Sequence, residues 1–151
     1  MVRKQIDKKK STNLIFEGAK WCSNLQDLAS KSTIIITCLP SPKVVNDVLT
    51  NLIPFLNKKH LWIEMSTTDE KEMIRLSGLC LEKGTESLEA PVTGGQHRAE
   101  SGNIAVLAAG KRENLEKAFP QLSMIGYKIL YCGNSSIQVS TFVEKLPGGK
   151  T

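Results

Sequence analysis

A glycine pair with polar neighbours is the feature of this sequence best suited to hold a ligand. It lies in the stretch EAPVTGGQHRAESGN, residues 89–103, which is followed by the apolar run IAVLAAG. Two glycines after a strand let a ligand approach the backbone closely, and their N–H groups can bind anions. We therefore expect Thr93, Gly94 and Gly95 to suit an anionic group such as a carboxylate, although a glycine pair can also serve turn geometry alone.

Two other short segments place polar groups or exposed backbone after predicted strands. Leu39 and Pro40 follow the β-branched run TIIITC, and Ser66 and Thr67 follow LWIEM. Ligands of open α/β sheets bind at the carboxyl ends of the strands, so both segments are candidates for a binding site. Each has a simpler alternative, because Pro40 can merely end a strand and the two hydroxyls can cap the next helix.

The histidines and cysteines show no catalytic or metal-binding pattern. His97 is a candidate general base, but simple exposure in its polar loop is the favoured interpretation, and His60 is expected to be solvated. The four cysteines have no CxxC or Cys/His spacing, so we predict no metal site. Free thiols beside apolar runs favour a reducing compartment inside the cell, either the cytoplasm or the mitochondrion.

The segments around these residues alternate between strands and helices. Apolar runs predict strands at 33–39, 61–65, 86–92, 103–109 and 127–132, the first of them buried on both faces. Helical spacing and capping residues predict helices at 23–30, after Pro42, from 66–69 to Gly84, and at 113–124. Alternation with short connections is typical of an α/β doubly wound fold with a mainly parallel sheet.

Composition excludes several classes of protein. A length of 151 residues with 40% hydrophobic content suits one globular domain. The net charge is +5, but five basic residues fall within the first ten positions and aromatic residues make up only 5%, so nucleic-acid binding is not favoured. No apolar run reaches the roughly 18–20 residues of a membrane span, so no membrane association is expected.

The stretch from Glu89 to Gly110 resembles the substrate-binding signature of the β-hydroxyacid dehydrogenases, which include 3-hydroxyisobutyrate and 6-phosphogluconate dehydrogenases. That signature reads acidic-Ala-Pro-Val-Ser-Gly-Gly, then Ala-x-x-Gly-x-Leu and a final Gly. Here Thr93 stands in place of Ser and Ile104 in place of Leu. The resemblance implies a Rossmann-like fold, NAD or NADP as cofactor, and a small hydroxy acid as substrate.

The same resemblance implies roles for the three candidate segments. Leu39 and Pro40 match a turn that lies against the adenosine side of the dinucleotide. Ser66 and Thr67 match the turn that contacts its nicotinamide half, and residues 93–95 match the substrate loop.

Parts of the family pattern are missing from this sequence. No Gly-x-Gly-x-x-Gly turn occurs before residue 30, where the only glycine is Gly18, so the first βα unit has no counterpart. The family's catalytic lysine should fall at Phe142, and Lys145 is the nearest candidate, without the family's glycines and asparagines. The C-terminal helical domain also has no counterpart. We therefore predict a basic arm, disordered or helical, at 1–13, a partial Rossmann-like domain at 14–133 and a divergent tail at 134–151.

The sequence thus predicts an NAD(P)-dependent oxidoreductase of the 3-hydroxyisobutyrate dehydrogenase type. It would act on the CH–OH group of a small β-hydroxy acid and would be impaired by truncation at both ends. The alternative is a non-catalytic Rossmann-like binding or oligomerisation module, because loss of the first strand would expose a sheet edge to another chain, including a second copy.

Overall fold

The computed structural model of the protein describes residues 2–3 and 11–134. Its strands are β1 (Val2–Arg3), β2 (Lys20–Trp21), β3 (Ile34–Thr37), β4 (Leu61–Glu64), β5 (Glu86–Glu89), β6 (Val92–Thr93), β7 (Ala105–Ala109) and β8 (Lys128–Gly133). Its α-helices are α1 (Thr12–Phe16), α2 (Leu25–Ser30), α3 (Pro42–Leu52), α4 (Glu70–Glu82), α5 (Gly95–Glu100) and α6 (Arg112–Ile125). A short 3-10 turn, Ile53–Phe55, follows α3. Lys145 and all but the first residue of the predicted tail lie outside the described residues.

Polar residues at the N-termini fix where the main helices begin. Asn24 caps α2, since its side chain accepts a hydrogen bond from the backbone N–H of Asp27 at 2.8 Å. Ser41 accepts from Val44 at the start of α3, where Pro42 occupies the first turn. The side chain of Asp69 accepts from two backbone N–H groups of α4. These caps agree with the predicted helix starts at 23–24 and after Pro42.

The main sheet is mixed, with the order β3-β4-β5-β7-β6 and with β8 paired to β7. The pairs β3–β4, β4–β5 and β7–β8 are parallel, whereas β7 runs antiparallel to β5 and β6. The predicted strand at 86–92 is interrupted at Ala90–Pro91, because proline cannot donate a ladder hydrogen bond. The predicted α/β doubly wound fold with a mainly parallel sheet is confirmed.

Two hydrophobic cores cover the two faces of this sheet. On one face, Trp62 packs with residues of α2, α3 and α4 such as Leu49 and Leu76. On the other face, Ile63 packs with residues of β5, β7 and α6, including Leu122. Adjacent residues of β4 therefore point into different cores, as expected of a strand in the middle of a doubly wound sheet.

The prediction that the strand at 33–39 is buried on both faces is wrong. No described strand pairs with the outer edge of β3, and the side chain of Ile36 is 37% exposed. The short strands β1 and β2 pair in parallel with each other in a separate two-stranded sheet. A run of β-branched residues indicates extended backbone, but the burial of its side chains depends on which elements pack beside the strand.

Two local predictions need correction or completion. His60, expected to be solvated, is buried, with its Nε2 3.0 Å from the carbonyl oxygen of Ala29 and its Nδ1 accepting from the N–H of Asn57. The adjacent lysines suggested solvent, but the imidazole satisfies two backbone groups of the neighbouring elements. Val2–Arg3, within the predicted basic arm, form β1, and the limits 14 and 133 of the predicted Rossmann-like domain stay a prediction.

Candidate functional site

The carboxyl ends of three neighbouring strands are aligned side by side. Thr37 at the end of β3 is in register with Glu64 at the end of β4, which is in register with Glu89 at the end of β5. The chain after each strand therefore leaves the same edge of the sheet. Residues 39–40 and 66–67 follow β3 and β4 directly, whereas residues 93–95 begin at the last residue of β6, the strand that the chain forms after β5.

A hydrogen bond joins the first two of these segments. The backbone N–H of Leu39 donates to Ser66 Oγ at 2.7 Å, across 27 positions of sequence. Ser66 is buried, and its hydroxyl holds the turn after β3 against the turn after β4. The helix that follows is capped by Asp69, which means that Ser66 serves as a tie between turns and does not cap α4.

The carboxylate of Glu64 lies beneath this hydrogen bond, and no sequence motif marked it as a site residue. Glu64 is fully buried, accepts a hydrogen bond from the backbone N–H of Ser66 at 2.6 Å, and accepts a short one from the Thr37 hydroxyl. The same Thr37 oxygen accepts from the indole Nε1 of Trp62 at 2.8 Å. An acidic residue ending an otherwise apolar strand was the available signal, since a buried carboxylate requires partners.

Desolvation is the largest influence on the charge of Glu64. Burial raises the pKa of this carboxyl above its ordinary value of 4.5, and hydrogen bonds from Ser66 and Thr37 oppose that rise. The result is a buried acid whose hydrogen bonds position both turns. Glu64 is therefore a positioning residue beneath the candidate site, because its oxygens face protein groups.

The turn after β4 offers two further hydroxyls. Thr67 is exposed, and the adjacent Thr68 has a buried Oγ1 without a hydrogen-bond partner among the described residues. A buried hydroxyl without a partner carries a desolvation cost that a bound polar group would relieve. The hydroxyls of Thr67 and Thr68 could therefore line a binding site for a polar ligand such as a dinucleotide.

The glycine loop is exposed and has the backbone conformation that glycine permits. Gly94 has φ +131° and Gly95 has φ +73°, both in the left-handed region. Gly94 occupies the N-cap position of α5 without a side-chain hydrogen bond, so the first N–H groups of this helix have no side-chain cap. Thr93, Gly94 and Gly95 are all exposed, leaving the loop accessible to a small anion.

The two histidines do not join the turns after β3 and β4. His97 is exposed on α5, as expected for a loop histidine, and buried His60 lies beside Ala29 and Asn57. Among residues 11–134, no group of three His, Cys, Asp or Glu side chains could hold a metal ion. In the same part of the chain, no helix is long and apolar enough to cross a bilayer.

Comparison with known proteins identifies the family. A model of the NAD binding domain of 6-phosphogluconate dehydrogenase matches residues 3–133. The chain belongs to this family. The resemblance to the β-hydroxyacid dehydrogenases and the Rossmann-like fold are thereby confirmed, and the match extends over nearly the whole described part of this NAD binding domain.

Individual relatives agree with this assignment. The NAD binding domain is 29% identical over 125 residues to 2-(hydroxymethyl)glutarate dehydrogenase of Eubacterium barkeri, covering 81% of this chain and 42% of the relative. The solved 3-hydroxyisobutyrate dehydrogenase of Mycobacterium tuberculosis, with L-serine, superposes with a TM-score of 0.83 at 23% identity, covering 91% and 47% of the two chains. An imine reductase from Myxococcus stipitatus in complex with NADP+ has a TM-score of 0.80 at 17% identity, covering 91% and 48%.

These two structural likenesses show the fold. The chain spans less than half the length of the first curated relatives that it matches, 42–45% of each.

Proposed function

We propose that this chain binds NAD or NADP and a small β-hydroxy acid, as the nucleotide-binding part of an oxidoreductase of the 3-hydroxyisobutyrate dehydrogenase type. The reaction would act on the CH–OH group of the acid. The cofactor, when bound, supplies the nicotinamide carbon that accepts or returns a hydride. The chain's own residues would bind, orient and shield the reactants.

One observation supports this proposal: the turns after β3 and β4 are hydrogen-bonded to each other at the carboxyl edge of the sheet, and the exposed glycine loop lies beyond the same edge, after β6. The tie is the hydrogen bond from Leu39 to Ser66, supported from below by Glu64. Ligands of open α/β sheets bind at this edge, so the arrangement suits a dinucleotide with a small acid beside it.

Each segment has a distinct role in the proposal. Leu39 and Pro40 would contact the adenosine side of the dinucleotide, and Ser66 and Thr67 the nicotinamide half. The hydroxyl of Thr93 and the N–H groups at Gly94 and Gly95 would bind the carboxylate of the substrate. Each role is supported by the position of the residues at the sheet edge and by their match to the family signature.

Catalytic competence, compartment and assembly belong to the same proposal. Lys145 is the proposed proton donor or acceptor, and turnover is expected to be weak because the sequence contains no Gly-x-Gly-x-x-Gly turn before residue 30. Four free cysteines support a reducing compartment, either the cytoplasm or the mitochondrion. A homo-oligomer is proposed as the working assembly.

Isothermal titration with NAD and with NADP tests the binding part of this proposal. We expect saturable binding that Thr67→Ala weakens and that Thr50→Ala, an exposed threonine on α3 away from the turns, leaves unchanged. Turnover is followed separately by the absorbance of reduced cofactor with 3-hydroxyisobutyrate as substrate. Absence of binding by both dinucleotides, or equal effects of the two substitutions, would refute the proposed site.

The open edge of β3 favours a second candidate function, a non-catalytic oligomerisation module. No described strand pairs with this edge, and Ile36 is 37% exposed there. Such edges pair readily with another chain unless a charge blocks them. Sedimentation across a concentration series tests this function, with association expected for the natural chain and loss of association for Ile36→Lys. A monomer that binds dinucleotide with micromolar affinity would exclude it.

A further inference from the structure

A surface cleft of about 600 Å³ lies beside the glycine loop, where β7 and β8 begin. Two of its lining side chains are cations, Arg98 and Lys128, and His97 lines the cleft as well. Ser101 and Asn103 add polar groups, and Ala105 contributes a small side chain. The cleft thus combines cations with hydrogen-bonding groups in a space large enough for a small organic acid.

Arg98 connects this cleft directly to the glycine loop. Its side chain packs over Gly94 so closely that a Cβ built at that glycine would lie 3.0 Å from Arg98 Cδ. The backbone carbonyl of Arg98 is held in turn by the N–H of Asn103 at 2.8 Å. The aliphatic part of the Arg98 side chain therefore lies against the loop proposed to hold the substrate carboxylate.

The sheet register places Lys128 on the same row as the substrate loop. Thr93 of β6 pairs with Ala105 of β7, which pairs with Lys128 of β8. Residues directly opposite each other in neighbouring strands point to the same face. Two strand spacings separate Thr93 from Lys128, a backbone distance of about 10 Å, with only the small side chain of Ala105 between them.

The positive charge of this cleft is not balanced by carboxylates. No acidic residue lines it, and within residues 11–134 neither Arg98 nor Lys128 takes part in an ion pair. Some other cations of the described residues do form ion pairs, for example Lys111 with Glu86 at 2.6 Å. A concave surface with uncompensated cations attracts anions and raises their local concentration.

We propose that this cleft binds a second anionic group of the substrate, so that the substrate class is a small hydroxy acid with two anionic groups. The inference rests on the proposed function, in which residues 93–95 hold the first carboxylate. Arg98 and Lys128 bind the second group, a carboxylate or a phosphate, across the face above Ala105. They act as specificity-determining residues, because a monoacid leaves both cations without a partner.

Glutarate and valerate provide a matched pair of probes, because they share a five-carbon chain and differ by one carboxylate. Titration of each into the chain by isotope-edited NMR is expected to show glutarate binding more tightly, with shifts at Arg98, Ala105 and Lys128. Arg98→Gln and Lys128→Gln should each weaken glutarate binding by about fivefold, the effect of one partly exposed ion pair. Lys117→Ala, which removes an exposed cation on α6, is the control and should change nothing.

The outcome separates this inference from the proposed function. Equal affinities for glutarate and valerate, no binding of either at millimolar concentration, or equal effects of all three variants would overturn the second-anion site. Binding of NAD and NADP is measured separately. Absence of dinucleotide binding in a chain that still prefers glutarate would refute the proposed cofactor site and leave the second-anion site in place. Repeating the titration with 2-(hydroxymethyl)glutarate and 6-phosphogluconate distinguishes a carboxylate from a phosphate as the preferred second group.

Discussion

Replacement of Glu64 tests whether one buried carboxylate holds the two turns of the candidate site. We expect Glu64→Ala to destabilise the protein strongly and Glu64→Gln to destabilise it little. Alanine removes the acceptor of the Ser66 N–H and of the Thr37 hydroxyl, which the structure places at the carboxyl ends of β3 and β4. Glutamine keeps one oxygen for Ser66, and its amide can donate to Thr37.

The magnitude follows from the groups left without partners. Each buried donor that loses its acceptor costs about 1–3 kcal/mol. The Thr37 hydroxyl can partly compensate by turning to the carbonyl of Ile63, from which its oxygen is 3.5 Å away. The free energy of unfolding should therefore fall by about 2–4 kcal/mol in Glu64→Ala and by less than about 1 kcal/mol in Glu64→Gln.

The pH dependence of stability provides an independent measurement on the same variants. The raised pKa of Glu64 means that the folded protein binds this proton more tightly than the unfolded chain. The contribution to stability is therefore full below the ordinary carboxyl pKa of 4.5 and is lost as pH rises through the raised pKa. Each unit of elevation corresponds to about 1.4 kcal/mol, and Glu64→Gln should abolish this contribution.

Urea denaturation followed by tryptophan fluorescence, repeated across this pH range, measures both quantities. The difference between the natural chain and Glu64→Gln isolates the contribution of Glu64, because all other titrating groups are shared. Isothermal titration should also show weaker dinucleotide binding in Glu64→Ala than in Glu64→Gln. A Glu64→Ala variant as stable as the natural chain, or equal pH profiles for the natural chain and Glu64→Gln, would refute this account of the site.

Three further substitutions test other parts of the structure. Gly126→Ala should cost about 1–3 kcal/mol by denaturation, since its Cβ would lie 2.7 Å from a methyl carbon of buried Val106. His60→Leu should cost about 2–4 kcal/mol, since it strips hydrogen bonds from two backbone groups, whereas an unchanged midpoint would contradict this role. Gly94→Ala should disturb the loop through both its positive φ and the contact with Arg98, and NMR shifts confined to residues 93–98 would support this.

The order and type of the main elements could be predicted from local patterns. The β-branched run at 33–39 did form a strand, and the apolar positions after Pro42 did form a helix. The glycine pair also lies where the sequence placed it, after a strand and exposed to solvent. These features depend on backbone preference and side-chain periodicity, which are properties of neighbouring residues.

Predictions from the sequence were wrong where the position of a side chain depended on residues distant in the chain. The hydroxyl of Ser66 suggested a helix cap, but Asp69 caps α4 and Ser66 binds the backbone of Leu39 instead. His60 follows two lysines and suggested exposure, but it is buried against Ala29, 31 positions away. No local pattern contains these partners, because they meet only when the sheet assembles.

By itself, the sequence determined the alternation of strands and helices, the glycine loop and the family signature around it. Only the tertiary structure decided that β3 has an open edge and that Glu64 lies beneath two joined turns. It also showed that Arg98 and Lys128 border one cleft. The physical reason is that burial, hydrogen-bond satisfaction and charge balance are set by neighbours in space, whereas periodicity and turn chemistry are set by neighbours in the chain.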